Sequence, residues 1–178
     1  MGKEYVMQDM RKSMAWLEKA KPIIADLLRG GKTIPVEGDD NEVCRILDMT
    51  CGTDYIHVYA DSGLVVGVAS RIQDMGRNWR TFTVRKERES GSATEWEKRK
   101  TAIKRGGIYP LLTMQGYVVG GQISGLAIVK TVDLMLYVDE GHAITRHTGA
   151  DQNGQASFFV CPWDDMRGHG IKVLEFRA

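Results

Sequence analysis

Residues 53–86 read TDYIHVYADSGLVVGVASRIQDMGRNWRTFTVRK, and this stretch decides the fold class. Thr53–Tyr59 alternates with period two: Asp54, Ile56 and Val58 share one face, and Thr53, Tyr55, His57 and Tyr59 the other. Asp61-Ser62-Gly63 is a hairpin turn. Residues 64–73 form the next strand, with Val65, Gly67, Ala69, Arg71 and Gln73 on a common face. After the Asp74–Asn78 turn, residues 80–86 alternate again, with Phe82 and Val84 inward. Three such runs in succession predict an antiparallel meander.

Working outward, Ser92-Ala93-Thr94-Glu95 has the form of a capping box, with Ser92 as N-cap, opening a helix that ends near Arg105 before Gly106-Gly107. Residues 110–119 and 123–131 predict two strands, 132–138 a short helix, and 157–161 and 171–176 closing strands. On the N-terminal side, Val6, Met10, Met14 and Leu17 space an amphipathic helix over 5–20, and Pro22 breaks or restarts it before Gly30-Gly31. Asn41 is placed to cap a helix over 42–48. The expectation is a mixed α/β (α+β) fold in a single domain, 1–178. An N-terminal helical segment, 5–30, joins a core, 40–178, with a central mixed sheet flanked by helices.

A hydrophobic fraction of 43% and a charged fraction of 26% exclude a disordered chain. The apolar runs are too short for a membrane span, and the N-terminus lacks a secretory pattern. The three cysteines match no zinc spacing and read as reduced thiols in a cytoplasmic protein. The net charge of +1 hides an asymmetry: between Arg71 and Arg105, 11 Lys or Arg face 5 Asp or Glu. That segment carries +6 and leaves −5 elsewhere, which points to a polyanionic partner. Arg77, Trp79, Arg80, Arg85, Lys98, Arg99 and Lys104 are the residues expected to meet nucleic acid, DNA above all.

Asp54 is the most informative acid, because a carboxylate sharing a face with Ile56 and Val58 requires a partner or a cation. Arg71 and Gln73 lie beside the small Gly67 and Ala69, where a phosphate has room to approach. Glu95 reads either as the far side of its capping box or as a second site acid.

The order of Glu42 on a short helix, Gly52-Thr53-Asp54 opening a strand, a hairpin, Ala69-Ser70-Arg71 on the next strand and then a basic helix resembles the core of the PD-(D/E)XK nucleases. The resemblance covers roughly residues 40–105. It implies a restriction-endonuclease-like fold and magnesium held by Asp54 and Glu42. The catalytic residues it implies are Asp54, Arg71, Gln73 and Glu95. Ala69 and Arg71 stand where that family carries an acid and a Lys, so either an acid comes in from Glu42, Asp48 or Glu95, or the fold is kept without the nuclease activity. The segments 67–73, 82–85 and 94–99 are also similar to uncharacterised proteins of phages and plasmids. The function implied is a metal-dependent nuclease or nuclease-like DNA-processing protein of a mobile element. The alternatives are a non-catalytic nucleic-acid-binding module and a protein-binding inhibitor or accessory factor.

Overall fold

The computed structural model describes residues 2–36, 41–88, 93–147 and 156–178, and the side chains of 2–14, 45, 48–50 and 88 lie outside the description. In chain order the elements are α1 (Gly2–Leu27), β1 (Lys32–Pro35), α2 (Glu42–Cys51), β2 (Tyr55–Val58), β3 (Val65–Asp74), β4 (Thr81–Arg88) and α3 (Glu95–Arg105). They continue with β5 (Leu112–Val119), β6 (Gln122–Lys130), α4 (Thr131–Asp139), β7 (Ile144–His147), β8 (Ala156–Pro162), α5 (Trp163–Gly168) and β9 (Leu174–Arg177). The fold is mixed α+β. One sheet has the strand order β1-β2-β3-β5-β6-β9, and a smaller one the order β4-β8-β7.

The expected meander is only partly present: its first two strands pair, and its third lies in the other sheet. β2 and β3 form the hairpin, pairing Tyr55 with Val68 and Val58 with Val65. The third antiparallel strand is β1, which pairs Thr33 with His57. β4 instead leaves the sheet and pairs with β8, Phe82 opposite Cys161. The free edge of β3 is taken by β5, running parallel, with Ala69 beside Thr113 and Arg71 beside Gln115. The reason is burial. Residues 112–118 are all buried, and a strand covered on both faces belongs in the middle of a sheet. A parallel neighbour requires a crossover, and β4 with α3 forms it.

Each face of the large sheet has its own core. On one side Leu17, Ala20 and Ile24 of α1, with Leu28 just past its end, pack on Val66, Val68, Met114 and Leu126. Their 3-4-4 spacing is the apolar stripe of an amphipathic helix. α1 runs through Pro22 without a break, contrary to the sequence expectation. One absent N–H bond costs less than the packing of Ala20 and Ile24 on either side. The expected contributions of Val6, Met10 and Met14 fall outside the described side chains. On the other face Tyr117, Ala127 and Val129 meet Phe82 and Val84 of β4, Leu134 and Tyr137 of α4, and Trp163 and Met166 of α5.

Asn41 caps α2 as expected, its Oδ1 accepting from the Val43 N–H at 2.9 Å. The cap of α3 differs. Thr94 is the N-cap, and its Oγ1 accepts from the Glu97 N–H while the Glu97 carboxylate accepts from the Thr94 N–H. The box is therefore two residues later than Ser92–Glu95, and Ser92 lies outside the described residues. The shift matters for function, because it releases Glu95 from a capping role. The expected loop 149–155 also falls outside the described residues. β1, β7 and α5 are elements that the sequence reading did not separate from their surroundings.

Candidate functional site

Between the large sheet and the β4–α3 crossover lies a polar cavity of about 210 Å³. That is well above the roughly 10–15 Å³ required to hold one water. Its ionisable lining residues are Asp54, Arg71, Glu95 and Arg99, with Ser70, Thr83 and Gln115 among the polar ones.

Asp54 precedes β2 and is fixed through its backbone on both sides. The Val36 N–H donates to its carbonyl at 2.9 Å, and its own N–H donates to Val68 O at 3.0 Å. Its carboxylate Oδ2 accepts from the Ser70 N–H of β3. Arg71, two residues beyond Ala69, extends from the face of β3 that looks toward the crossover. Its Nη2 lies 3.1 Å from Glu95 Oε1, and its Nη1 donates to Thr83 Oγ1 at 3.3 Å. Phe158 of β8 places its ring 5.3 Å from the Arg71 guanidinium and 5.4 Å from that of Arg85, within the range of cation–π contact.

Glu95 and Arg99 are four residues apart, so they share one face of α3. Glu95 Oε2 also accepts from the Arg85 N–H of β4 at 3.4 Å. Burial opposes its charge, but Arg71, Arg99 and Arg85, with the Arg85 N–H, outweigh burial and hold the carboxyl below its usual value. Arg99 is only 7% exposed. Burial pushes its guanidinium below the usual value, against the opposing pull of Glu95 and Asp54.

A run of hydrogen bonds orients this arrangement. Gln115 Oε1 accepts from the Thr83 N–H at 3.4 Å and from Thr83 Oγ1 at 3.2 Å, and its Nε2 donates to Gln73 Oε1 at 2.8 Å. Thus Gln73 reaches the site through Gln115, and Gln115 through Thr83 reaches Arg71. Gln115 and Thr83 were not singled out from the sequence. The available signal was a glutamine inside LTMQGYVV, where a buried amide requires partners.

All four residues expected to be catalytic, Asp54, Arg71, Gln73 and Glu95, are therefore connected to this one cavity. Glu42, expected to hold a metal with Asp54, stands exposed in the first turn of α2, and it is not among the cavity's lining residues. The Asp48 side chain lies outside the description. Asp54 and Glu95 are the acidic donors that the cavity offers a hard cation. No group of three or more His, Cys, Asp or Glu suited to a metal occurs among the described residues. Magnesium commonly takes one or two carboxylates with water and phosphate oxygens, and here Asp54 already accepts from the Ser70 N–H while Glu95 meets Arg71 and the Arg85 N–H.

The residues expected to meet nucleic acid separate into distinct places. Arg77 lies over the ring of Trp79, 3.1 Å from its centroid, and Trp79 is 48% exposed. Lys98 and Lys104 are exposed on α3. Arg99 is buried in the cavity and does not face solvent with them. Arg80 is drawn into a network with Glu175 at 3.0 Å and Asp164 at 2.6 Å, and Arg85 packs beside Phe158. The basic segment is thus partly neutralised by acids brought from elsewhere in the chain, including Asp139 on Lys100 at 2.9 Å.

Cys44, Cys51 and Cys161 are thiols outside any disulfide. No helix among the described residues is long and apolar enough to cross a membrane. No family model, no curated protein and no solved structure matches the chain.

Proposed function

We propose that the cavity is a phosphodiester site and that the chain is a nuclease-like, DNA-processing protein of restriction-endonuclease-like architecture. The observation that carries the reading is the meeting of Asp54, Arg71 and Glu95 in one polar cavity, from the loop before β2, from β3 and from α3. The second acid absent at Ala69 is supplied by Glu95 from the crossover helix, free of the cap that Thr94 and Glu97 form. The succession of α2, Asp54 before β2, the β2–β3 hairpin and α3 supports this reading, whereas β4 leaves the sheet that β2 and β3 share.

Each residue has a chemical task in this reading. Arg71 and Arg99 supply guanidinium donors to the phosphate oxygens, where charge builds up during transfer. Thr83, held by Gln115 and Gln73, fixes the direction of Arg71. Asp54 and Glu95 would hold magnesium, which when bound neutralises phosphate charge and favours hydroxide formation. A cytoplasmic setting, and mobile-element DNA as substrate, belong to the same proposal. The test is incubation of purified protein with single-stranded, duplex and supercoiled DNA and with RNA, in Mg²⁺, Mn²⁺ or EDTA. Cleavage is expected with the metal and is abolished in Asp54→Asn and Glu95→Gln. Intact nucleic acid under every condition overturns the reading.

The Arg77–Trp79 stack and the exposed Lys98 and Lys104 favour a second reading, binding to DNA without cleavage. In that case affinity falls steeply with salt and the slope shrinks by about one per lysine removed.

A further inference from the structure

Arg99 lines the cavity yet is only 7% exposed, and its guanidinium presents a fork of N–H donors. Among the described residues it makes no hydrogen bond and no ion pair. Asp54 and Glu95 act on it through space, but their carboxylates are engaged by other donors. Asp54 Oδ2 accepts from the Ser70 N–H, and Glu95 meets Arg71 and the Arg85 N–H. Gln115 Oε1 is taken by Thr83. Arg71, by contrast, is held on Glu95, on Thr83 and over Phe158. A buried donor without an acceptor is costly, and a buried charge more so. The donors in want of an acceptor therefore belong to Arg99, and they border a space of about 210 Å³.

We infer that Arg99 is the contact through which the cavity takes up one oxyanion, a single phosphodiester group, and that this uptake requires no metal ion. The choice of a phosphodiester rests on the reading above; the want of an acceptor at Arg99 does not. A guanidinium fork gives paired N–H bonds to a phosphate or to a carboxylate. Shape separates the two. Arg99 comes from α3 and Arg71 from β3, so the guanidiniums stand on the two walls of the cavity. A tetrahedral phosphate has oxygens for donors on both sides, whereas a planar carboxylate serves one fork. The volume suits one such group, since pockets for drug-sized ligands run to roughly 300–1,000 Å³. Arg99 also brings the positive charge that a phosphodiester monoanion calls for, so binding does not wait on a cation.

The probe is diethyl phosphate, a phosphodiester monoanion with no base or sugar, added to the full chain in EDTA. Phosphorus NMR line width reads its binding, and acetate at matched ionic strength is the carboxylate competitor. Wild type is expected to broaden the line, and acetate to displace the probe poorly. Arg99→Met is expected to lose at least about tenfold in affinity, the worth of one charge-assisted hydrogen bond. Arg99→Lys, which keeps the charge without the fork, falls between the two. Arg99→Gln is the second neutral variant should the methionine prevent folding.

An unbroadened line with wild type in EDTA, or equal broadening by a folded neutral variant, overturns the inference. So does ready displacement by acetate, which makes the cavity a carboxylate site. If diethyl phosphate is ignored while DNA is still cut with Mg²⁺, the inference falls and the phosphodiester reading stands. If diethyl phosphate binds through Arg99 while DNA and RNA are neither bound nor cut, the role of Arg99 stands and the nuclease-like reading falls.

Discussion

Arg71 on β3 and Glu95 on α3 meet at 3.1 Å across the gap between the large sheet and the crossover helix. The contact joins two segments that share no backbone hydrogen-bond ladder, and both side chains are largely shielded from water. Removing one side of such a pair costs more than the pair itself contributes, because a buried charge is left behind.

Glu95→Gln is therefore expected to lower unfolding stability by about 1–3 kcal/mol, since Arg71 and Arg99 both lose an acid. Chemical denaturation measures the loss. In a double-mutant cycle with Arg71→Met the two effects should be non-additive. Additive losses would mean that the pair is not coupled.

Gly31 holds the joint between α1 and β1. It has φ +116, and a Cβ there would overlap Val58 O and the His57 ring. The same corner seats the buried His57, whose ring nitrogens lie 3.1 Å from Thr33 Oγ1 and 3.2 Å from Gly30 O. Gly31→Ala is expected to cost about 2 kcal/mol or more through strain and overlap. A thermal melt of the variant matching wild type would contradict this placement of β1.

Acid should unlock the edge at β9. Burial opposes the charge of Glu175, but hydrogen bonds from Arg177, Arg80 and Arg167 bring its carboxyl from 4.5 down to about 2. A carboxyl lowered on folding contributes stability that is full above the ordinary value of 4.5 and is lost as pH falls toward 2. The unfolding free energy is expected to drop over this window by an amount on the order of 1–2 kcal/mol, and less in Glu175→Gln. Equal acid sensitivity in the two proteins would remove Glu175 as the cause.

Thiol chemistry tests the cores. Burial pushes the Cys161 thiol up to about 12 and raises that of Cys51, whereas Cys44 is partly exposed on α2. Alkylation of the native protein near pH 8, followed by peptide mass spectrometry, is expected to label Cys44 first. Cys161 reacts at a comparable rate only after unfolding.

Much of the architecture was legible because local signals agreed. The 53–73 hairpin, the strands around Gly120-Gly121 and the helix after Lys130 all follow from alternation and turn chemistry. What failed was non-local. Nothing in Thr81–Lys86 distinguishes a third meander strand from one that pairs with residues near 160, because both require the same inward Phe82 and Val84. The site was half legible for the same reason. Asp54, Arg71 and Gln73 follow from strand parity, but Glu95 has a capping box written two residues too early, and only the backbone shows Thr94 as the cap. Arg99 looked like one more surface cation because helix periodicity alone does not say which neighbour buries it.

The parallel seam between β3 and β5 has a consequence in time as well as in space. Hairpins such as β2–β3 and β5–β6 can close early, since their partners are adjacent in sequence. The Arg71–Gln115 pairing has to close a loop that contains all of β4 and α3, and closing it carries an entropic toll before any contact rewards it. The cavity is the space beneath that loop, so it has no existence in a partly assembled chain. A nascent or unravelling molecule thus has the site's residues without their geometry, and whatever chemistry they perform is withheld until that closure is made.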